Sequence, residues 1–247
     1  MSQIAQKNAG KPLKNEGKIA PPYSQLKQLL DFFEAGNFGD AEALAITLSR
    51  QFPEHQFAWK ILGVVFSQTG RKYDAVEANQ KAVSLAPHDA EAIFHLGNAL
   101  KDIGKLDEAI IDYKKAITLR PDFSEAHNNL GATWKEMGEL ELAAESYKKA
   151  ISSNQTFAVA HNNLGVVLKD LGRWEAAEKS YARAIELKPD YAEAYYNLGN
   201  MLQEVERFEE AEAFYNRVIA LEPGYAEAHN NLGVTLQEIG RLEAAEA

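Results

Sequence analysis

The chain contains no cysteine, which excludes disulfides, thiol nucleophiles and thiolate metal sites. It has no apolar run near the ~18 residues that read as a membrane span. Its first twenty residues carry lysines at 7, 11, 14 and 18 and no apolar core of the kind a secretory leader needs, so a cytoplasmic protein is expected. Basic charge is scarce, with 26 Lys and Arg against 36 Asp and Glu, a net charge of −10. The scarcity is uneven: residues 1–21 hold four lysines against Glu16, leaving −13 on the remainder. A body that acidic repels phosphate backbones, so neither nucleic acid nor a membrane is an expected partner. No phosphate-binding glycine loop, dinucleotide fingerprint or Ser-His-Asp set is present. The reading is of a non-enzymatic chain with no cofactor and no metal.

What is present is a period. Leu-Gly recurs at 62–63, 96–97, 130–131, 164–165, 198–199 and 232–233, always 34 residues apart. A second glycine follows at Gly70, Gly104, Gly138, Gly172 and Gly240, with Gly36 in the same frame and Glu206 as the exception. Pro53, Pro87, Pro121, Pro189 and Pro223 share a third phase. Periods of this length mark stacked repeats, each a unit unable to bury its apolar face alone. With the Leu-Gly pair at repeat positions 7 and 8, units span 22–55, 56–89, 90–123, 124–157, 158–191, 192–225 and 226–247. Apolar residues at helical spacing predict two helices per unit, the glycine at position 15 turning the chain between them. Glycine at position 8 and alanine at position 20 leave room for a large neighbour, and tyrosine at position 24 (Tyr113, Tyr147, Tyr181, Tyr215) is predicted to fill it. The fold expected is all-α, a solenoid of antiparallel helix pairs.

These marks resemble the 34-residue pattern of the tetratricopeptide repeat from Pro22 to the end of the chain. The resemblance implies a right-handed superhelix with a concave groove lined by the first helices, and protein or peptide partners. Departures stand out in unit 1 (Leu29, Ala45, Leu48), in unit 2 (Asn79 for tyrosine), and in unit 4, whose ending Ser153-Asn154-Gln155-Thr156 lacks the proline and predicts a looser joint. The last unit stops inside its second helix, which reads as a truncation. Residues 1–21 are expected to be a disordered basic arm, able to fold into the chain's own acidic groove.

In the tetratricopeptide family, positions 2, 6, 9 and 13 of the first helix face the groove. Position 6 reads His95, Asn129, Asn163, Asn197 and Asn231 from unit 3 onward, and position 9 includes Asn98 and Asn200. Positions 2 and 13 supply acids, among them Glu125, Glu193 and Glu227, then Glu136, Asp170 and Glu204. An asparagine offers a donor and an acceptor to a peptide unit. With hairpins about 8–10 Å apart and a strand advancing about 3.3 Å per residue, one asparagine would meet roughly every third peptide unit. The pattern predicts a clamp on an extended backbone, with flanking acids favouring a basic ligand. The clamp by which related domains grip chaperone carboxylate tails is excluded, because Lys60 is followed by Val64, His95, Glu125 and Asn129.

His127, His161 and His229 share position 4. Equivalent positions on helices about 8–10 Å apart cannot both reach one zinc at about 2.0–2.1 Å, so they read as packing residues, like Trp59 and Tyr195 there. Glu206, Glu209 and Glu210 around Arg207 read as a solvated face. The phrase His-Asn-Asn-Leu-Gly at 127–131, 161–165 and 229–233 also resembles the arm of protein O-linked N-acetylglucosamine transferases, implying an alternative role as the substrate-recruiting arm of an enzyme with its catalytic domain beyond residue 247. A third reading is a scaffold that self-associates through the open C-terminal unit.

Overall fold

A computed structural model describes residues 20–240. The basic arm as far as residue 19, and the second helix expected from residue 241, lie outside the described residues. Among those described there are thirteen α-helices and no strand. They are α1 (Tyr23–Glu34), α2 (Phe38–Gln51), α3 (Gln56–Gln68), α4 (Lys72–Leu85), α5 (Ala90–Asp102), α6 (Leu106–Leu119), α7 (Ser124–Glu136), α8 (Leu140–Ser153), α9 (Ala158–Asp170), α10 (Trp174–Leu187), α11 (Ala192–Glu204), α12 (Phe208–Leu221) and α13 (Ala226–Glu238). Odd-numbered helices are the first and even-numbered the second of each repeat. The helices fall into two compact units, one ending at Ile103 and the other beginning at Gly104. The first holds α1–α5 and the second α6–α13.

Each first helix is followed by a residue of positive φ. Gly138 has φ +83°, its N–H donates to Lys135 O at 3.0 Å, and Glu139 N–H reaches back to Trp134 O at 2.9 Å. Two otherwise orphaned carbonyls are satisfied by one left-handed residue. The break in the glycine pattern keeps the same turn: Glu206 sits at φ +61°, the one non-glycine residue with positive φ among those described. Its N–H reaches Gln203 O at 3.1 Å and Arg207 N–H reaches Leu202 O at 2.9 Å.

The glycine at position 8 has a different reason. A Cβ on Gly131 would lie 2.9 Å from the ring of Tyr147, one on Gly165 2.7 Å from that of Tyr181, and one on Gly199 2.9 Å from that of Tyr215. The tyrosine rings occupy the space the glycines vacate, and all three are fully buried. Each such burial contributes about 1.5–3 kcal/mol. In the first compact unit Asn79 takes the tyrosine's place against Gly63. It is 1% exposed, and neither polar atom of its amide has a hydrogen-bond partner.

Position 4 also acquires a definite role. His127 Nε2 lies 3.0 Å from Pro121 O and His229 Nε2 2.9 Å from Pro223 O. Trp59 Nε1 donates to Pro53 O at 3.1 Å, and Tyr195 Oη to Pro189 O at 3.4 Å. The side chain fastens the turn that leads into its own helix, and three residue types serve because each carries an N–H or O–H donor at the tip of a ring. At the turn without proline, His161 Nε2 is 3.4 Å from Gln155 O. There the Asn154 side chain stiffens the turn instead, its Oδ1 accepting from Thr156 N at 3.1 Å and Thr156 Oγ1 at 2.9 Å. The backbone bonds of this joint, Asn154 N to Ala150 O at 2.9 Å and Phe157 N to Asn154 O at 3.1 Å, match those of the proline-containing turn before it, where Arg120 N meets Ala116 O at 2.9 Å and Phe123 N meets Arg120 O at 3.1 Å.

Candidate functional site

The candidate residues divide between the two compact units. Asn98 and His95 belong to the first, whereas Asn129, Asn163, Asn197, Asn200 and Asn231 belong to the second. In the second unit the four position-6 asparagines are half-buried on α7, α9, α11 and α13. The acids Glu125, Glu136, Asp170, Glu193, Glu204 and Glu227 are exposed at the two ends of those helices.

Asn163, Asn197 and Asn231 are tied to the hairpin before them, while Asn129 Oδ1 accepts from Asn128 Nδ2 of its own helix at 3.2 Å. Asn163 Nδ2 donates to Asn128 Oδ1 at 3.1 Å, and Asn197 Nδ2 to Asn162 Oδ1 at 3.0 Å. Asn231 Nδ2 donates to Tyr196 Oη at 3.2 Å and to Asn200 Oδ1 at 2.9 Å. Position 6 of one repeat is thereby joined to position 5 of the preceding one. The sequence reading left the whole amide for a guest. The structure leaves less: one N–H and the carbonyl oxygen of Asn163 and Asn197, and the carbonyl oxygen alone of Asn231, whose two N–H groups are both engaged. The position-5 partners Asn128 and Asn162 are buried and were missed as site residues, although the repeated Asn-Asn dipeptide was their signal.

Around Asn200 the network extends inward. Tyr215 Oη lies 2.8 Å from Asn200 Oδ1 and 2.7 Å from Gln203 Oε1. One phenolic hydrogen serves one of these two acceptors at a time. Burial pushes the Tyr215 phenol far above its usual range, which keeps it a hydrogen donor.

Part of the acidic flank is internally compensated. Lys169 Nζ lies 2.8 Å from Glu204 and 4.0 Å from Asp170. Glu193 Oε1 accepts from Asn162 Nδ2 at 3.2 Å, and its Oε2 from Tyr191 Oη at 3.4 Å. Burial, with the Glu193 charge beside it, pushes the Tyr191 phenol up to about 12. The cluster at Arg207 is an exposed network, its guanidinium holding Glu178 at 2.7 Å and Glu210 at 2.6 Å.

The first compact unit presents a different chemistry on its first helices. Lys60 Nζ bonds Glu91 at 2.9 Å and Asp89 at 3.1 Å. Burial works against its charge, but those two carboxylates outweigh burial and hold its pKa above the ordinary lysine value. Asp89 in turn caps α5 by accepting from Glu91 N at 2.9 Å and Ala92 N at 3.1 Å. Burial and the Lys60 charge pull the His95 imidazole below its usual range. Among the described residues no group of three or more His, Asp or Glu side chains is placed to hold a metal ion, and no helix is long and apolar enough to cross a membrane.

Models of the tetratricopeptide repeat match residues 26–90, 97–138, 133–172, 156–222 and 214–247. The crystal structure of MamA is similar, at 26% identity and a TM-score of 0.60, over 67% of this chain and 97% of that one. The pilF protein of Pseudomonas aeruginosa matches with 20% identity and a TM-score of 0.73 over 84% of this chain and 94% of its own. YrrB, described as a TPR protein with an unusual peptide-binding site, matches with 21% identity and a TM-score of 0.58 over 74% and 95%. The last two likenesses concern the fold alone. No curated protein matches the sequence.

Proposed function

We propose that this chain, which belongs to the tetratricopeptide repeat family, is a protein-interaction scaffold that holds an extended segment of a partner against the first helices of its second compact unit. The observation that carries this reading is the ladder of Asn163, Asn197 and Asn231. Each amide is oriented by a hydrogen bond to the preceding repeat, and each leaves polar capacity at a half-exposed position. A side chain already fixed in orientation loses less freedom on meeting a ligand.

Asn163 and Asn197 can pair with both polar groups of a peptide unit, and Asn231 only with an N–H. At about 0.5–1.5 kcal/mol net per hydrogen bond, against an association cost of about 4–15 kcal/mol, the ladder supplies register and modest affinity. The acids least compensated on this face, Glu125 and Glu227, favour lysine or arginine in the guest. That YrrB is described as having a peptide-binding site is consistent with the reading.

The test is a fluorescein-labelled fifteen-residue peptide of alternating lysine and serine, titrated into the full chain and compared with its glutamate–serine counterpart. Saturable binding of the lysine peptide, with NMR shifts at the Asn163 and Asn197 side-chain amides, is expected. Equal binding of both peptides removes the basic preference, and absence of amide shifts removes the ladder.

A second reading, the substrate-recruiting arm of a glycosyltransferase-like enzyme, rests on the repeated His-Asn-Asn-Leu-Gly phrase. Whether coding sequence for a catalytic domain follows residue 247 decides it. Self-association is checked by the dependence of mass on concentration.

A further inference from the structure

The stripe that carries asparagines and acids in the second compact unit is apolar at the start of the chain. Repeat positions 2, 6 and 9 of α1 are Tyr23, Lys27 and Leu30, and position 2 of α3 is Phe57. Together with Leu26 and His55 these six residues line a pocket of about 290 Å³. Tyr23 is 80% and Leu30 37% exposed, while Leu26 and Phe57 lean on the core beneath. The walls are almost wholly hydrocarbon, and Lys27 is the one lining residue that carries a permanent charge. No carboxylate forms an ion pair with it among the described residues, in contrast to Lys60 in the next repeat, which holds two.

We propose that this pocket is an anchor subsite for one bulky apolar side chain, phenylalanine or leucine, of a peptide that follows it with an acidic residue, whose carboxylate meets Lys27. The proposal rests on the reading of the first-helix face as the peptide-binding face. It assigns to the first compact unit a preference opposite in charge to that of the asparagine ladder. The volume lies at the lower end of ligand pockets, which run to about 300–1,000 Å³, and admits one aromatic or branched side chain with room to spare. Removing that side chain's apolar surface from water supplies about 25 cal/mol per Å². The lone ammonium beside an apolar wall fixes which neighbour the anchor has, because a carboxylate there gains a partner and a second cation meets repulsion. An internal acidic side chain fits, because the guest is taken to run on past the pocket in extended form.

The experiment uses the full chain and a labelled hexapeptide, Gly-Ser-Phe-Asp-Ser-Gly with blocked termini, beside versions with Phe→Ala and with Asp→Asn. Binding is followed by anisotropy and by NMR of the leucine methyls. The expected result is shifts at Leu26 and Leu30 and loss of about tenfold or more in affinity, equivalent to about 1.4 kcal/mol, on either peptide change. The protein variants Leu30→Asp and Lys27→Glu, both at exposed or partly exposed positions, should reproduce those losses while leaving the lysine–serine peptide unaffected. Equal affinity for the three hexapeptides overturns the proposal. So does a tenfold gain in affinity on deleting residues 1–19, which would make the chain's own beginning the occupant. A concentration-dependent dimer abolished by Leu30→Asp would make it a second copy. If the lysine–serine peptide fails to engage the ladder while the hexapeptide behaves as expected, the ladder reading falls and this subsite stands.

Discussion

Asn163 donates an amide hydrogen to Oδ1 of Asn128, 3.1 Å away in the preceding hairpin, so a single side chain both joins two repeats and faces outward. Structure and recognition are therefore coupled at this residue, and substitutions can separate them. Asn163→Ala removes the interhelical bond and the outward amide together. Asn128→Ala removes the same bond but leaves the Asn163 amide in place. Both should lower the free energy of unfolding by about 1–3 kcal/mol, read as a lower urea midpoint, because a polar group of the stack loses its partner. Asn163→Ala should also weaken the lysine–serine peptide several-fold, and Asn128→Ala, which takes away only the orienting bond, should weaken it less. Equal effects of the two on binding would mean the amide acts through the stack alone.

Glu206 holds a left-handed turn that glycine holds in the other repeats. Glu206→Gly should raise stability by about 1 kcal/mol, the strain of an L-residue there exceeding the extra freedom glycine gains on unfolding. The urea midpoint should rise with no change in slope; a fall would show that the Glu206 side chain contributes more than its backbone costs.

Gly165→Ala places a methyl 2.7 Å from the ring of Tyr181. The overpacking should cost about 1–3 kcal/mol. Combined with Tyr181→Leu, which frees the space, the pair should be less damaging than the sum of the two, and a double-mutant cycle measures the coupling.

Asn79 is buried against Gly63 with an unpartnered amide. Asn79→Leu, close in shape and without polar atoms, should stabilise the chain by about 1–3 kcal/mol. A loss instead would show that the amide finds a partner in solution.

Burial raises the phenols of Tyr147, Tyr181 and Tyr215, and raises Tyr191 to about 12. In the unfolded chain tyrosine titrates near 10. The folded state therefore keeps its protons longer, and the stability this contributes is complete below about pH 10 and lost as pH climbs through the folded values. Thermal midpoints should drop steeply above about pH 10. Tyr191→Phe, removing one such group, should make the drop shallower.

The sequence made the Gly165–Tyr181 contact legible because small and large residues recur in fixed phase, and a 34-residue period leaves one way to bring them together. Glu206 was legible for the same reason, as the single break in a glycine series. The bond from Asn163 to Asn128 was not. It depends on the offset between hairpins, which places position 6 of one repeat beside position 5 of the last, and no single-helix wheel contains that offset. Nor was the pocket at Tyr23 and Leu30, since repeat positions 2 and 9 carry no fixed residue type along the chain. Their chemistry emerges only when Phe57 of the next repeat closes the far wall. The division at Ile103 and Gly104 leaves no mark in the period.

The hydrogen bonds from Asn163 to Asn128 and from Asn197 to Asn162 each span 35 residues, one more than the period, and so connect the same two addresses in successive copies. Within the stretch that carries this pair, a gene can be lengthened or shortened by whole copies without redesigning the seam, since each new boundary there presents the donor and acceptor the old one did. Loss or gain of a fraction of a copy has no such licence, because it would set each donor opposite a side chain of the wrong kind.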